Sequence, residues 1–118
     1  MNPVTGLSLG RIAVGAVALA RPDLAAKALQ LDAAANPQLP YLSRLFGSRE
    51  VVLGTLTLLA TGSARRNLVL AGILVDAADA ATGVLGAREG QVSKQAAAGL
   101  VAPALGAVVS GLRGLRQR

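Results

Sequence analysis

Residues 67–87 read NLVLAGILVDAADAATGVLGA. Asp76 and Asp79 sit near the middle of this stretch, and no lysine or arginine accompanies them inside it. On a helix in water the two acids would need no comment. In a hydrocarbon layer each is costly unless a partner or a water-filled cavity receives it, so intramembrane acids mark candidate sites by default. How the rest of the chain reads depends on which of these environments applies.

The stretch is the third of four apolar segments in 118 residues, at 4–20, 42–62, 67–87 and 95–112. A hydrocarbon core about 30 Å thick takes about 20 helical residues, with a lower limit near 17. The third and fourth segments meet that length. The first is at the limit and contains Arg11. In the second, the charge-free run is only 51–64, which leaves Arg49 and Glu50 within or beside the apolar layer.

Composition supports lipid as the solvent. Charged residues make up 15% of the chain, against about 25% in ordinary soluble domains. Mean hydropathy is +0.53. Aromatic residues are only 2%, so the bulk that fills most soluble cores is missing, and alanine, leucine, valine and 14 glycines stand in its place. Small residues let helix backbones approach closely in a bilayer. With neither cysteine nor histidine, thiolate and imidazole metal sites, histidine-based triads and haem ligation are excluded, and no metal or cofactor is expected. The glycines form no phosphate-binding loop. The net charge of +6 comes from basic residues scattered at segment ends rather than from a basic helix or an aromatic–basic pattern. That distribution fits anionic lipid and not nucleic acid.

The connection after the first segment begins Pro22-Asp23 and continues LAAKALQL, a short amphipathic helix with proline in its first turn and an early acid suited to the dipole. Asn36-Pro37-Gln38-Leu39-Pro40 then resists regular structure, and Tyr41 follows as an interfacial anchor. The remaining links are short, which joins antiparallel neighbours. The expected fold is all-α: one domain over 1–118, a four-helix transmembrane bundle of up-down topology. Two rivals stand behind it, a soluble alanine-rich bundle and a signal peptide cleaved after Ala18-Leu19-Ala20, whose apolar region is weak. Five basic residues fall on each side, Arg65, Arg66, Arg113, Arg116 and Arg118 against Arg21, Lys27, Arg44, Arg88 and Lys94. The dense basic tail favours cytoplasmic termini.

Helical period sorts the faces. Gly72, Asp76, Asp79 and Gly83 form one stripe of the third segment, continued toward its start by Val69 and Arg65. The first segment has a stripe of Ser8, Arg11, Gly15 and Ala18. In the fourth, Ala102, Gly106, Ser110 and Gly114 form a small-residue row beside Gly99, Pro103, Ala107 and Gly111. Val101, Leu105, Val108 and Leu112 are assigned to lipid. Helix packing is therefore expected at Gly72, Gly83, Gly99, Ala102, Gly106 and Ser110.

Helical rise sets depth. Arg11 is seven residues past Val4, about 10 Å in at 1.5 Å per residue, and Asp76 is nine past Asn67 from the same side. Arg49 and Asp79 lie seven and eight residues in from the opposite side. Arg11 thus reaches Asp76, and Arg49 reaches Asp79. Glu50 points about 100° away from Arg49 and is expected to find Arg44 or Tyr41 at the interface. The candidate site is an intramembrane charge cluster of Arg11, Arg49, Glu50, Asp76 and Asp79. Ion pairs that fix helix register are the plain reading, and a proton or ligand site at the two aspartates is the sharper one.

The stretch ANPQLPYLSRLFGSREVVLG at 35–54, ARR at 64–66 and GILVDAADA at 72–80, with Arg11 and Gly15 ahead of Arg21-Pro22, resembles a known family. It is similar to the small actinobacterial membrane proteins catalogued as domain of unknown function 4267, across nearly the whole of the 118 residues. A more distant likeness is to DoxX-type four-helix membrane proteins. The resemblance implies a membrane bundle and supplies no mechanism. The function expected is that of a small multi-pass protein of the bacterial inner membrane, non-enzymatic, acting in assembly or helix packing. Its partners are the lipid bilayer and either further copies of itself or a larger membrane complex. The alternative is a small transporter or proton-linked binding protein that uses Asp76 and Asp79.

Overall fold

The computed structural model describes residues 2–116. The chain is all-helical: α1 Pro3–Ala20, α2 Pro22–Ala28, α3 Leu39–Leu59, α4 Gly62–Arg88 and α5 Lys94–Arg116. Of these, α1, α4 and α5 are each long and apolar enough to cross a membrane. α3 is not among them, because Arg44, Arg49 and Glu50 fall within its 21 residues.

The helices start and stop for local reasons. The Asn2 side chain accepts from the Val4 amide and Pro3 occupies the first turn, so α1 begins with a side-chain cap. At the other end of α1, Ser43 Oγ donates to the Ala18 carbonyl at 2.9 Å and Arg44 Nε to that of Leu19 at 3.3 Å, satisfying carbonyls the helix leaves open. Arg21 then pairs with Asp23 at 2.8 Å in the first turn of α2, and that hydrogen-bonded contact holds the Asp23 carboxyl at about 2. Ser93 caps α5 through the Ala96 amide at 3.0 Å and donates to Gln30, which ties the two loops at that end together. α4 closes at Gly90, whose φ of +71° is the left-handed conformation that glycine adopts without penalty.

Four boundaries differ from expectation by three residues or more. α3 begins at Leu39 rather than at 42: Leu39 and Pro40, expected to resist regular structure, form its first turn, where the missing proline N–H costs no helical bond. The second segment stops at Leu59 rather than at residue 62, because Ala60 and Thr61 are both extended. Ser63 to Arg66 therefore belong to the first turns of α4, not to the preceding turn. α5 runs to Arg116, placing Arg113 and Arg116 in a last turn where the helix dipole favours cations. Arg118, counted above with the basic tail, lies outside the described residues. Tyr41 is exposed on the first turn of α3.

α1 and α3 pack backbone to backbone. A Cβ on Gly15 would lie 2.6 Å from the Gly47 carbonyl oxygen, one on Gly47 equally close to that of Gly15, and one on Gly54 2.7 Å from that of Ser8. These pairs run in opposite order along the two helices, so the helices are antiparallel. α4 and α5 pair through Gly83 against Val101 and Gly111 against Ile73, also in opposite order, and Val4 of α1 meets Gly114 of α5.

The packing face of α5 is the main correction. Gly99, Ala102 and Gly106, expected to pack, are exposed, and a Cβ on Gly99 or Gly106 would meet nothing within 4 Å. Ser110 is half-buried. The buried face is instead Ala97, Ala104 and Gly111, with Val101 and Val108 half-buried beside them although both were assigned to lipid. α5 has small residues on every side, so residue size alone does not single out its contact face. Gly72 and Gly83 on α4 are buried as expected.

Candidate functional site

The stripe Ser8, Arg11, Gly15, Ala18 is the buried face of α1, and Val69, Gly72, Asp76, Gly83 lie on that of α4. Where these faces meet α3, five charged side chains converge. Arg11 Nη1 donates to Asp76 Oδ1 at 2.9 Å, and Nη2 donates to Asp76 Oδ2. This two-pronged fork matches the planar guanidinium to the carboxylate, a geometry lysine cannot reproduce. Gly72 makes room for it one turn earlier on α4: a Cβ there would lie 2.8 Å from Arg11 Nη2.

Arg49 Nη2 donates to Asp79 Oδ2 at 2.7 Å, on the side of the cluster nearer the α3–α4 groove. Its guanidinium carbon also stands 5.1 Å above the ring centroid of Phe46, a cation–π contact from the preceding turn. Both expected pairs, Arg11 with Asp76 and Arg49 with Asp79, are thus present.

Glu50 departs from its expected place. It is buried at 6% exposure and points into the cluster, not toward Arg44 or Tyr41. Its Oε1 accepts from Arg11 Nη1 at 3.3 Å, and its Oε2 lies 3.7 Å from Arg49 Nε. Arg44 is engaged with the Leu19 carbonyl instead. The physical reason is that the buried face of α3 is the one that carries Glu50 and packs on α1, while Arg49 stands half-exposed at the edge of that face and reaches Asp79 on α4 from there. A signal for this was present in the sequence: Gly47, Glu50, Gly54 and Thr57, spaced by three, four and three, are the buried stripe of α3. Gly47 and Gly54 were missed as packing residues for the same reason.

One oxygen each of Glu50, Asp76 and Asp79 lies within 4.8 Å of the others. Three carboxylates are the donor chemistry of a hard cation, but both Asp76 oxygens, Asp79 Oδ2 and Glu50 Oε1 already accept from guanidinium. The arrangement holds α1, α3 and α4 in one register. It also concentrates three acids against two fixed cations.

Between α3 and α4 an apolar groove of about 380 Å³ opens to the outside, lined by Ser48, Arg49, Val52, Leu53, Leu56 and Val75. Arg49 is the charged group in its wall. Comparison with protein-family models, curated proteins and solved structures finds no match.

Proposed function

We propose that this chain is a small integral membrane protein of the bacterial inner membrane, an up-down bundle in which α3 is the fourth span beside α1, α4 and α5. Its role is non-enzymatic: it packs against other helices, either copies of itself or members of a larger membrane complex. The observation that carries the membrane reading is the distribution of side chains. Among the described residues, the buried apolar side chains are all valine or alanine, and they share the interior with Ser8, Arg11, Glu50, Thr57 and Asp76. The large aliphatics point outward, among them Leu45, Val52, Leu56 and Leu59 on α3 and Leu74 and Leu85 on α4. Charges inside and leucines outside invert the pattern of a water-soluble protein and suit a hydrocarbon solvent. The same distribution supports α3 as a span, since Glu50 is turned toward α1 and α4 and aliphatic side chains toward the outside.

The assembly role is supported by the outward row on α5, where Gly99, Ala102 and Gly106 leave a flat small-residue track open to another helix. The motif resemblance points to the same membrane architecture. A proton-linked binding or transport role at Asp76 and Asp79 is the second reading, favoured by the excess of carboxylates over guanidiniums in the cluster. The test is extraction. The chain is expected to stay with membranes through alkaline carbonate and to require detergent for release. Recovery as a monodisperse protein without detergent would overturn the membrane reading.

A further inference from the structure

Among the described residues, Glu50 Oε2 stands alone as a buried side-chain oxygen or nitrogen without a hydrogen-bond partner. Arg49 Nε at 3.7 Å gives it electrostatic contact, but that is beyond hydrogen-bond length. The charged groups facing Glu50 are Arg11 from α1, Arg49 beside it on α3, and Asp76 and Asp79 from α4. α2 packs on the first turns of α3, near Leu39, Pro40 and Arg44, away from Glu50.

The charges do not balance. Asp76 is matched by Arg11 through both oxygens, and Asp79 is matched by Arg49. Glu50 shares each arginine with an aspartate that holds it at shorter range, so it is the carboxylate in excess. Fully ionised, the cluster would carry one uncompensated negative charge among buried glycine and aliphatic neighbours, where an unpaired charge is expensive. One positive charge restores neutrality. A metal cation would need several oxygen ligands at about 2.3–2.6 Å, and the cluster's oxygens are already largely held by two fixed guanidiniums. A proton needs no space. On Oε2 it removes the surplus charge and turns an acceptor without a donor into a donor, in a cluster where one oxygen each of Glu50, Asp76 and Asp79 lies within 4.8 Å of the others.

We infer that Glu50 is a proton-binding site: Oε2 carries an exchangeable proton that leaves the cluster neutral when bound and singly negative when released. The proton comes from water and returns to it, and only the O–H bond forms or breaks. The cluster is least enclosed on the side of Arg49, whose side chain is half-exposed. The inference deepens the proton-linked reading and assigns the exchangeable carboxyl to Glu50 instead of Asp76 or Asp79. It concerns the interior of the bundle, so its failure would leave the membrane assignment standing, and carbonate extraction tests that assignment separately.

The experiment is infrared spectroscopy of the full chain in detergent, with glutamate labelled by carbon-13. The chain has two glutamates, Glu50 and the exposed Glu89, so a Glu89→Gln background leaves Glu50 as the one labelled carboxyl. At neutral pH a protonated-carboxyl carbonyl band is expected that moves to lower wavenumber with labelled glutamate, shifts in heavy water and is lost on titration to alkaline pH. Glu50→Gln should remove the band and keep the fold, because the amide resembles the protonated acid in shape and charge. Absence of the band at neutral pH, or a band that responds to labelled aspartate alone, overturns the assignment. So does stabilisation by added sodium or magnesium that Glu50→Gln abolishes, which would make the ligand a metal cation. The labelled parent reports the answer even if the Glu50 variant fails to fold.

Discussion

Arg11 and Asp76, 65 positions apart in the chain, are joined through both guanidinium nitrogens and both carboxylate oxygens, and each is more than nine-tenths buried. This fork lies between α1 and α4, and Arg11 reaches α3 through Glu50, so one side chain connects three helices. Removing a charge from such a group leaves its partners buried and unpaired, a larger loss than the pair's own net contribution. The bundle's stability is therefore most sensitive at Arg11.

The glycine contact between α1 and α3 is the second sensitive point. Gly47→Leu should lower the unfolding temperature in detergent strongly, because the new side chain meets the Gly15 backbone, which cannot move aside. Overpacking of this kind costs about 1–3 kcal/mol or more. Gly106→Leu should leave that temperature unchanged, since nothing lies within 4 Å of the added carbon. Equal loss in the two variants would contradict the assigned faces.

Gly106→Leu separates folding from assembly. The exposed track at Gly99, Ala102 and Gly106 is the surface proposed for a second helix, and a leucine there removes the close approach. The variant is expected to keep the monomer's stability while losing oligomers or co-purifying membrane proteins in mild detergent. An unchanged assembly state would place the contact surface elsewhere.

Outside the helical core, Arg21 holds the Asp23 carboxyl down at about 2 through their hydrogen-bonded contact. Because the folded value is depressed, whatever stability the pair lends is present above the ordinary carboxylate range and is lost as pH falls through about 2. Arg21→Gln should move the Asp23 titration midpoint upward, toward about 3.9, in a carboxyl-resolved NMR titration. A midpoint unaffected by the substitution would show that the pair is not formed in solution.

The two aspartate pairs were legible in the sequence because helical rise fixes depth and helical period fixes face, and both act on isolated charges in apolar runs. Glu50 was not placed correctly, since a residue 100° from Arg49 was assumed to leave the interior. α3 has one buried face, turned toward α1 and marked by the glycines flanking Glu50, and Arg49 reaches Asp79 from its half-exposed edge. On α5 the error came from chemistry without contrast. Gly99 and Gly106 are as small as Gly111, yet Gly111 is the one that meets Ile73. The seam there is set by Val101 filling the notch at Gly83, and such complementarity between two helices is not written in either one alone. The end of α3 was read three residues late because Ala60 and Thr61, where the chain turns, are less obvious breakers than Gly62.

The central claim is that Arg11 and Asp76 form one buried, coupled unit, and a double-mutant cycle on unfolding in detergent tests it most directly. Arg11→Gln and Asp76→Asn are each expected to cost about 3–5 kcal/mol, the loss typical of breaking a buried pair. The double variant should recover a substantial part of that loss, and adding Glu50→Gln should recover more, because Arg11 also serves Glu50. A double variant whose loss equals the sum of the two singles would show that the residues are uncoupled and would contradict the account.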